Sequence, residues 1–151
     1  MNFLFVYNKK AGKKFEPSIV NVITELLPES MAFSFIDIRE LETLDVSSYD
    51  TLVAIGGDGT VNTVAKLAME YDKKLGIIPK GSGDGLARFL GISRDVREAV
   101  DGLLLGKVIS IDTATVDDVF FVNVAGAGFE AEVAHKFGAE GIRDDLMQTV
   151  V

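Results

Sequence analysis

Ala54-Ile55-Gly56-Gly57-Asp58-Gly59-Thr60-Val61-Asn62 is the stretch on which the reading of this chain turns. An apolar, β-branched run empties into glycines that hold one carboxylate, and a helix-like pattern follows. That order is what a phosphate-binding strand-to-helix turn requires. Glycines let backbone N–H groups approach phosphate oxygens with no Cβ in the way, and a helix N-terminus adds partial positive charge. A second glycine loop, Pro79-Lys80-Gly81-Ser82-Gly83-Asp84-Gly85, follows downstream. Two such turns in succession imply one nucleotide held between them.

The elements around these loops follow from periodicity. Thr51 to Ile55 predicts the strand that feeds the first loop, and Phe3 to Tyr7 is a near-continuous apolar run, the mark of a strand buried on both faces. A helix is expected at about 16–27, with Pro17 in its first turn, apolar spacing from Ile19 to Leu27, and Pro28 as its stop. Met31 to Ile38 predicts another strand, and residues 39–49 are too few and too polar for more than a short turn. Thr60 to Met69 has helical spacing, Leu75 to Ile78 predicts the strand before the second loop, and a short helix from Leu86 should close at Gly91. Asp95 to Leu105 predicts a last helix ending at Gly106. The order is that of an α/β fold, a mostly parallel sheet flanked by helices, in which ligands sit outside the carboxyl ends of the strands.

After Lys107 the texture changes. Ile109–Val116, Val119–Val124 and Phe129–Val133 read as strands separated by Asp117-Asp118 and Gly126-Ala127-Gly128, which is an antiparallel pattern. The tail from Gly138 to Gln148 reads as helical or frayed. We therefore expect a nucleotide-binding α/β domain at 1–106 and, at 107–151, the incomplete start of a second sheet domain too short to stand alone.

Composition sets the outer limits. With 151 residues, 48% of them hydrophobic, the chain has enough apolar surface for a real core. It has no cysteine, so disulfides and Cys-ligated zinc are excluded, and a cytoplasmic location is the default expectation. The apolar start is too short for a signal peptide, and no apolar run approaches the ~18–20 residues that span a bilayer. A formal charge of −8 argues against binding nucleic acid by charge. One local reversal, Lys9, Lys10, Lys13 and Lys14 around Gly12, fits either a solvated turn or a phosphate-facing loop.

Together, Gly56-Gly57-Asp58-Gly59-Thr60 with Asn62, and Ile78-Pro79-Lys80-Gly81-Ser82-Gly83-Asp84-Gly85-Leu86-Ala87-Arg88, resemble the catalytic region of the diacylglycerol kinase and sphingosine kinase superfamily. Asn8-Lys9-Lys10-Ala11-Gly12 is similar to that family's Asn-Pro-x-Ser-Gly loop, and Phe121 to Ala131 resembles the strand that opens its lipid-binding β-sandwich. The resemblance implies a phosphofructokinase/NAD kinase-like N-terminal domain followed by an antiparallel β-sandwich. It further implies Mg-assisted phosphoryl transfer from ATP to a hydroxyl of diacylglycerol or a related lipid. An NAD kinase, which shares Gly-Gly-Asp-Gly-Thr, and a nucleotide-binding fragment or pseudokinase without turnover are the alternatives. Peripheral membrane contact and a homodimer are both compatible with it.

Carried over residue by residue, the resemblance gives nucleotide-binding roles to Asn8, Lys9, Gly12, Gly56, Gly57, Gly59, Thr60, Asn62, Gly81, Ser82 and Gly83. Asp58 becomes the catalytic residue, through Mg²⁺ organisation or proton acceptance, where the bland reading is a helix cap. Asn62 could equally bond the loop or cap its helix, and Lys80 could reach a phosphate or stay solvated. Glu130 and Glu132 share one face of a strand and fall near the lipid headgroup position, or else on a solvent-exposed edge. His135, the lone histidine, reads as structural.

The departures cluster on the nucleotide side. Thr63 stands where the family usually has Glu, and Ser82, Asp84 and Gly85 replace the Thr, Asn and Asp of its second loop. Asp37-Ile38-Arg39-Glu40 lacks the usual threonine. Asp84 is the consequential change: a carboxylate near phosphates is repulsive unless a cation lies between them.

Overall fold

The computed structural model describes residues 1–9 and 18–123. Four parallel strands, β1 (Asn2–Tyr7), β2 (Ala32–Asp37), β3 (Thr51–Gly56) and β4 (Lys74–Pro79), form one sheet in the order β2-β1-β3-β4. The chain first builds outward from β1 to β2, then returns past β1 to lay down β3 and β4. The reversal falls between β1 and β3, the position at which open parallel sheets take their ligands. Register aligns Asp37 with Tyr7, Tyr7 with Ile55, and Ile55 with Ile78, so all four strands end along one edge.

Alternation along the strands supplies two cores. Phe3, Phe5, Val53, Ile55 and Ile78 point to the face covered by α1 (Ser18–Leu26) and α4 (Val96–Leu105), where Ile19, Ile23, Ala99 and Val100 meet them. Leu4, Val6, Leu52, Ala54 and Ile77 point to the opposite face, against Val61, Val64, Ala65 and Ala68 of α2 (Asp58–Glu70). Leu86 and Ala87 of α3 (Gly85–Phe89) join that second core. Both faces are covered, which explains why the strands read as continuous apolar runs. On the outer strand, Phe35 stacks on Phe5 with ring centroids 4.9 Å apart. No helix among the described residues is long and apolar enough to cross a membrane.

The expected short connection after β2 is a 3₁₀ turn, Ile38–Thr43. Asp37 starts it: the carboxylate accepts the Arg39 N–H at 3.1 Å and the Arg39 side chain through Nε at 2.7 Å and Nη2 at 2.9 Å. Asp37 is only 1% exposed, and the Arg39 guanidinium leads the effects that hold its carboxyl down at about 2, against an ordinary value of 3.8.

Two expectations at the far end need correction. The strand expected at Ile109–Val116 exists only as β5, Ala114–Val116, and its partner β6 spans Val119–Phe121 rather than reaching Val124. Residues 106–113 run exposed, with Val108 72% and Ile109 62% accessible, because no described strand lies beside them to accept their backbone. The turn itself is as expected: β5 and β6 pair antiparallel, and Asp117 and Asp118 both adopt left-handed φ, 47° and 65°, as a two-residue hairpin turn demands. The expected third strand, Phe129–Val133, and the tail from Gly138 lie outside the described residues, as does Pro17.

The depressed Asp37 carboxyl carries a sign that can be tested. A carboxyl whose folded value lies below its unfolded value stabilises the fold above about pH 3.8, and that contribution disappears as pH falls through about 2. Asp37→Asn should therefore destabilise the protein at pH 7 by about 1.5–3 kcal/mol, the scale of hydrogen bonds to a charged group. In denaturant melts, the gap between wild type and variant should narrow between pH 4 and pH 2. A gap that stays constant over that range would contradict this role.

Candidate nucleotide site

Both glycine loops lie at the carboxyl edge of β3 and β4, as expected. The first is shorter than it reads. Gly57 is the N-cap of α2, with φ −90° and ψ −170°, and the helix already begins at Asp58 rather than at Thr60. The N–H groups of Asp58, Gly59 and Thr60 thus belong to a first turn that has no acceptors within its own helix, and no side chain caps it. A carboxylate in that turn is favoured by the helix dipole.

The glycines are required first by each other. Lys80 N–H donates to the Gly56 carbonyl at 2.9 Å, which carries the strand pairing into the loops. Beyond it the two backbones touch: a Cβ on Gly81 would lie 2.4 Å from the Gly57 Cα, and a Cβ on Gly57 would lie 3.0 Å from the Gly81 Cα. Gly56 likewise faces Thr60, whose Oγ1 would be 2.5 Å from an added Cβ; Thr60 is buried beneath it.

Asp58 ties the loops together. Its Oδ1 accepts the Gly85 N–H at 2.8 Å, the Leu86 N–H at 3.4 Å and the Asn123 Nδ2 at 3.3 Å. The residue thus caps α3, across the site, rather than its own helix. Its Oδ2 lies on the side of Gly83, where an added Cβ would come within 3.1 Å. Ser82 and Gly83 are exposed between these anchors, and their N–H groups make no hydrogen bond among the described residues.

Asp84 does not face outward. It is 3% exposed, in the left-handed conformation with φ 51° and ψ 46°, and its Oδ1 accepts the Gly81 N–H at 2.8 Å. Its Oδ2 stands 3.1 Å from Arg94 Nε, and Arg94 Nη2 also donates to the Gly81 carbonyl. Burial pushes the Asp84 carboxyl above its ordinary value, against the Gly81 N–H and Arg94, which act to lower it. Arg94 has no place in the motif pattern. The only hint in the sequence is a basic residue shortly after an unusual carboxylate.

The other expected residues divide. Asn62 neither bonds the loop nor caps its helix: its Nδ2 donates to the Phe120 carbonyl and its Oδ1 accepts the Val122 N–H, both at 3.2 Å. It clamps β6 to α2 as a neighbouring strand would. Thr63, in place of Glu, returns its hydroxyl to the Gly59 carbonyl at 3.1 Å. Asn8 and Lys9 follow β1 on the same edge, and Lys9 Nζ lies 5.5 Å from the Tyr7 ring centroid. Lys80 is exposed. Gly12, Glu130, Glu132 and His135 lie outside the described residues.

This edge, two touching glycine loops joined by one carboxylate, falls within residues 2–116, which match the family model described as the diacylglycerol kinase catalytic domain. The chain belongs to that family. A diacylglycerol kinase of Staphylococcus saprophyticus is 29% identical over 141 residues, covering 87% of this chain and 46% of the relative. One from Bacillus subtilis is 38% identical over 90 residues, covering 58% and 30%. A crystal structure of a Bacillus anthracis diacylglycerol kinase superposes with a TM-score of 0.68 at 22% identity, over 91% of this chain and 53% of the other. The chain thus spans about half the length of these relatives at most, and the last likeness establishes the fold alone.

The glycine contact gives a direct prediction for this diacylglycerol kinase family edge. Gly81→Ala should separate the loops and cost about 1–3 kcal/mol of stability, the usual penalty of overpacking. In a wild-type-against-variant melt, Gly102→Ala serves as control, since nothing lies within 4 Å of its added Cβ. Equal stability of Gly81→Ala and wild type would contradict the contact.

Proposed function

We propose that this chain is the nucleotide-binding part of an ATP-dependent lipid kinase that phosphorylates a hydroxyl of diacylglycerol or a related lipid. The observation that carries this reading is the Asp58 carboxylate of the first loop capping the second loop's helix, within a region matched by the diacylglycerol kinase catalytic domain. Residues 1–106 form the nucleotide-binding unit in this reading, and 107–151 begin the lipid-binding sandwich. The change from parallel to antiparallel pairing supports that division.

Phosphoryl transfer needs positioning and charge neutralisation more than covalent chemistry. We assign the phosphate oxygens to the N–H groups of Asp58, Gly59 and Thr60 in the first loop and of the exposed Ser82 and Gly83 in the second. Gly56 and Gly57 keep the approach free of side chains. The family implies Mg²⁺, and the donor set suits it. Among the described residues no cluster of three His, Asp or Glu side chains offers a ready-made cage. Mg²⁺ is commonly held by one or two carboxylates plus substrate phosphates, and Asp58 Oδ2, which borders Gly83 and is not the oxygen that takes the three N–H bonds, is our candidate for that ligand. When bound, the ion would offset phosphate charge. Asp58 Oδ1, occupied by three N–H donors, holds the loops in register, which favours an organising role over proton acceptance.

The test is a panel assay. The chain is incubated with Mg-ATP and, separately, diacylglycerol, a sphingoid base and NAD, with phosphorylated product and ATP binding both measured. The reading predicts ATP binding, abolished or strongly reduced in Asp58→Ala, and phosphorylated product, where any forms, from a lipid rather than from NAD. Product from NAD alone, or no ATP binding by the wild-type chain, would overturn it.

A further inference from the structure

Asp84 is the residue of the second loop whose charge opposes a phosphate, and its surroundings show how the loop tolerates it. The carboxylate is buried at 3% exposure, beside a second carboxylate, Asp58, that borders the same loop from α2. A loop carrying two such charges would repel a polyanion. Arg94, in the connection between α3 and α4, meets this directly. Its Nε faces Asp84 Oδ2 at 3.1 Å while Nη2 takes the Gly81 carbonyl, so one guanidinium spans the carboxylate and the loop's first glycine. Asp84 Oδ2 has no hydrogen bond of good geometry among the described residues, so Arg94 is its charge partner.

The same contacts set the shape of the loop. Asp84 stands in the left-handed region, φ 51°, uncommon for non-glycine residues though more accessible to Asp than to most, and its surroundings hold it there. Two contacts do so: the Gly81 N–H on Oδ1 and Arg94 on Oδ2. With Asp84 turned inward, the exposed part of the loop is Ser82 and Gly83, whose N–H groups make no hydrogen bond among the described residues.

We propose that Arg94 is a charge-compensating, positioning residue of the nucleotide site: by pinning Asp84 against Gly81, it lets a loop that carries a carboxylate accept a nucleoside polyphosphate. The inference rests on the nucleotide reading above. The groups that set the charge at Asp84 are Arg94, Asp58, Lys80 and the Gly81 N–H. Because burial pushes the Asp84 carboxyl upward, acid should relieve the need for Arg94 by neutralising Asp84.

The experiment is Mg-ATP binding by calorimetry to the whole chain, with thermal melts, for wild type, Arg94→Ala, Arg94→Lys, Asp84→Asn and the double variant D84N/R94A. Arg94→Ala should bind about tenfold or more weakly at pH 7.5, as expected when a buried charge loses its partner. Arg94→Lys should recover part of that loss. Removing the carboxylate removes the need for the cation, so D84N/R94A should bind within about threefold of Asp84→Asn alone. The Arg94→Ala deficit should also shrink as pH is lowered, and no such trend should appear in the Asp84→Asn background.

Unchanged affinity in Arg94→Ala, or a deficit that persists undiminished in D84N/R94A or at low pH, would overturn the proposal. The persisting deficit would make Arg94 a direct ligand contact. If Arg94→Ala fails to fold, Arg94→Gln, which keeps much of the length and removes the charge, takes its place in every comparison. Absence of binding in wild type would overturn the nucleotide reading and this inference together, whereas wild-type binding with an indifferent Arg94→Ala overturns only the latter.

Discussion

Backbone-to-backbone contact between Gly57 and Gly81 is the constraint on which the site depends. Two strand ends in a parallel sheet are spaced by their hydrogen bonds, and the loops that leave them normally diverge with their side chains. Here neither loop has a Cβ at the crossing point, so the loops stay in contact beyond the last strand pair, Gly56 and Pro79. Only then can the Asp58 carboxylate reach the Gly85 and Leu86 N–H groups and act as cap to a helix that its own segment does not contain. The glycines therefore serve packing first, and the ligand role we propose for them rests on that contact.

A similar economy links the edge to the rest of the chain. Asn123, at the end of the β5–β6 hairpin segment, shares Asp58 Oδ1, and Asn62, one helical turn past Asp58, fastens β6. Phe120 and Val122 fill the core beneath. The hairpin is thus anchored on α2 by one amide clamp, two apolar side chains and one bond to the central carboxylate. A disturbance of the antiparallel part would be felt at Asp58 first.

Much of this architecture is legible in the sequence, for a physical reason that also marks the limit. Strands β1 and β3 are covered on both faces, so runs such as Phe3–Tyr7 and Thr51–Ile55 announce themselves, and Gly91, at φ 71°, closes α3 where a glycine stop is expected. The start of α2 is less visible, because Gly-Asp-Gly has the composition of a loop while its backbone is already helical. Strand β5 is overread because the apolar residues Val108, Ile109 and Ile111 suggest burial that the described fold does not provide. Tertiary contacts are the least legible. Nothing local tells that Asn62 would pair with a strand, that Asp58 would cap α3, or that Arg94 would hold Asp84. Each bond joins segments whose proximity exists only after folding.

The central claim is that the two loops form a single phosphate-binding edge. It is tested most directly by following backbone amide resonances of the isotopically labelled chain while Mg-ATP is added. The account predicts saturable shifts concentrated at Asp58, Gly59, Thr60, Ser82 and Gly83, on both loops with one common affinity. Shifts confined to one loop, two unequal affinities, or a response centred away from the carboxyl edge of β3 and β4 would contradict it.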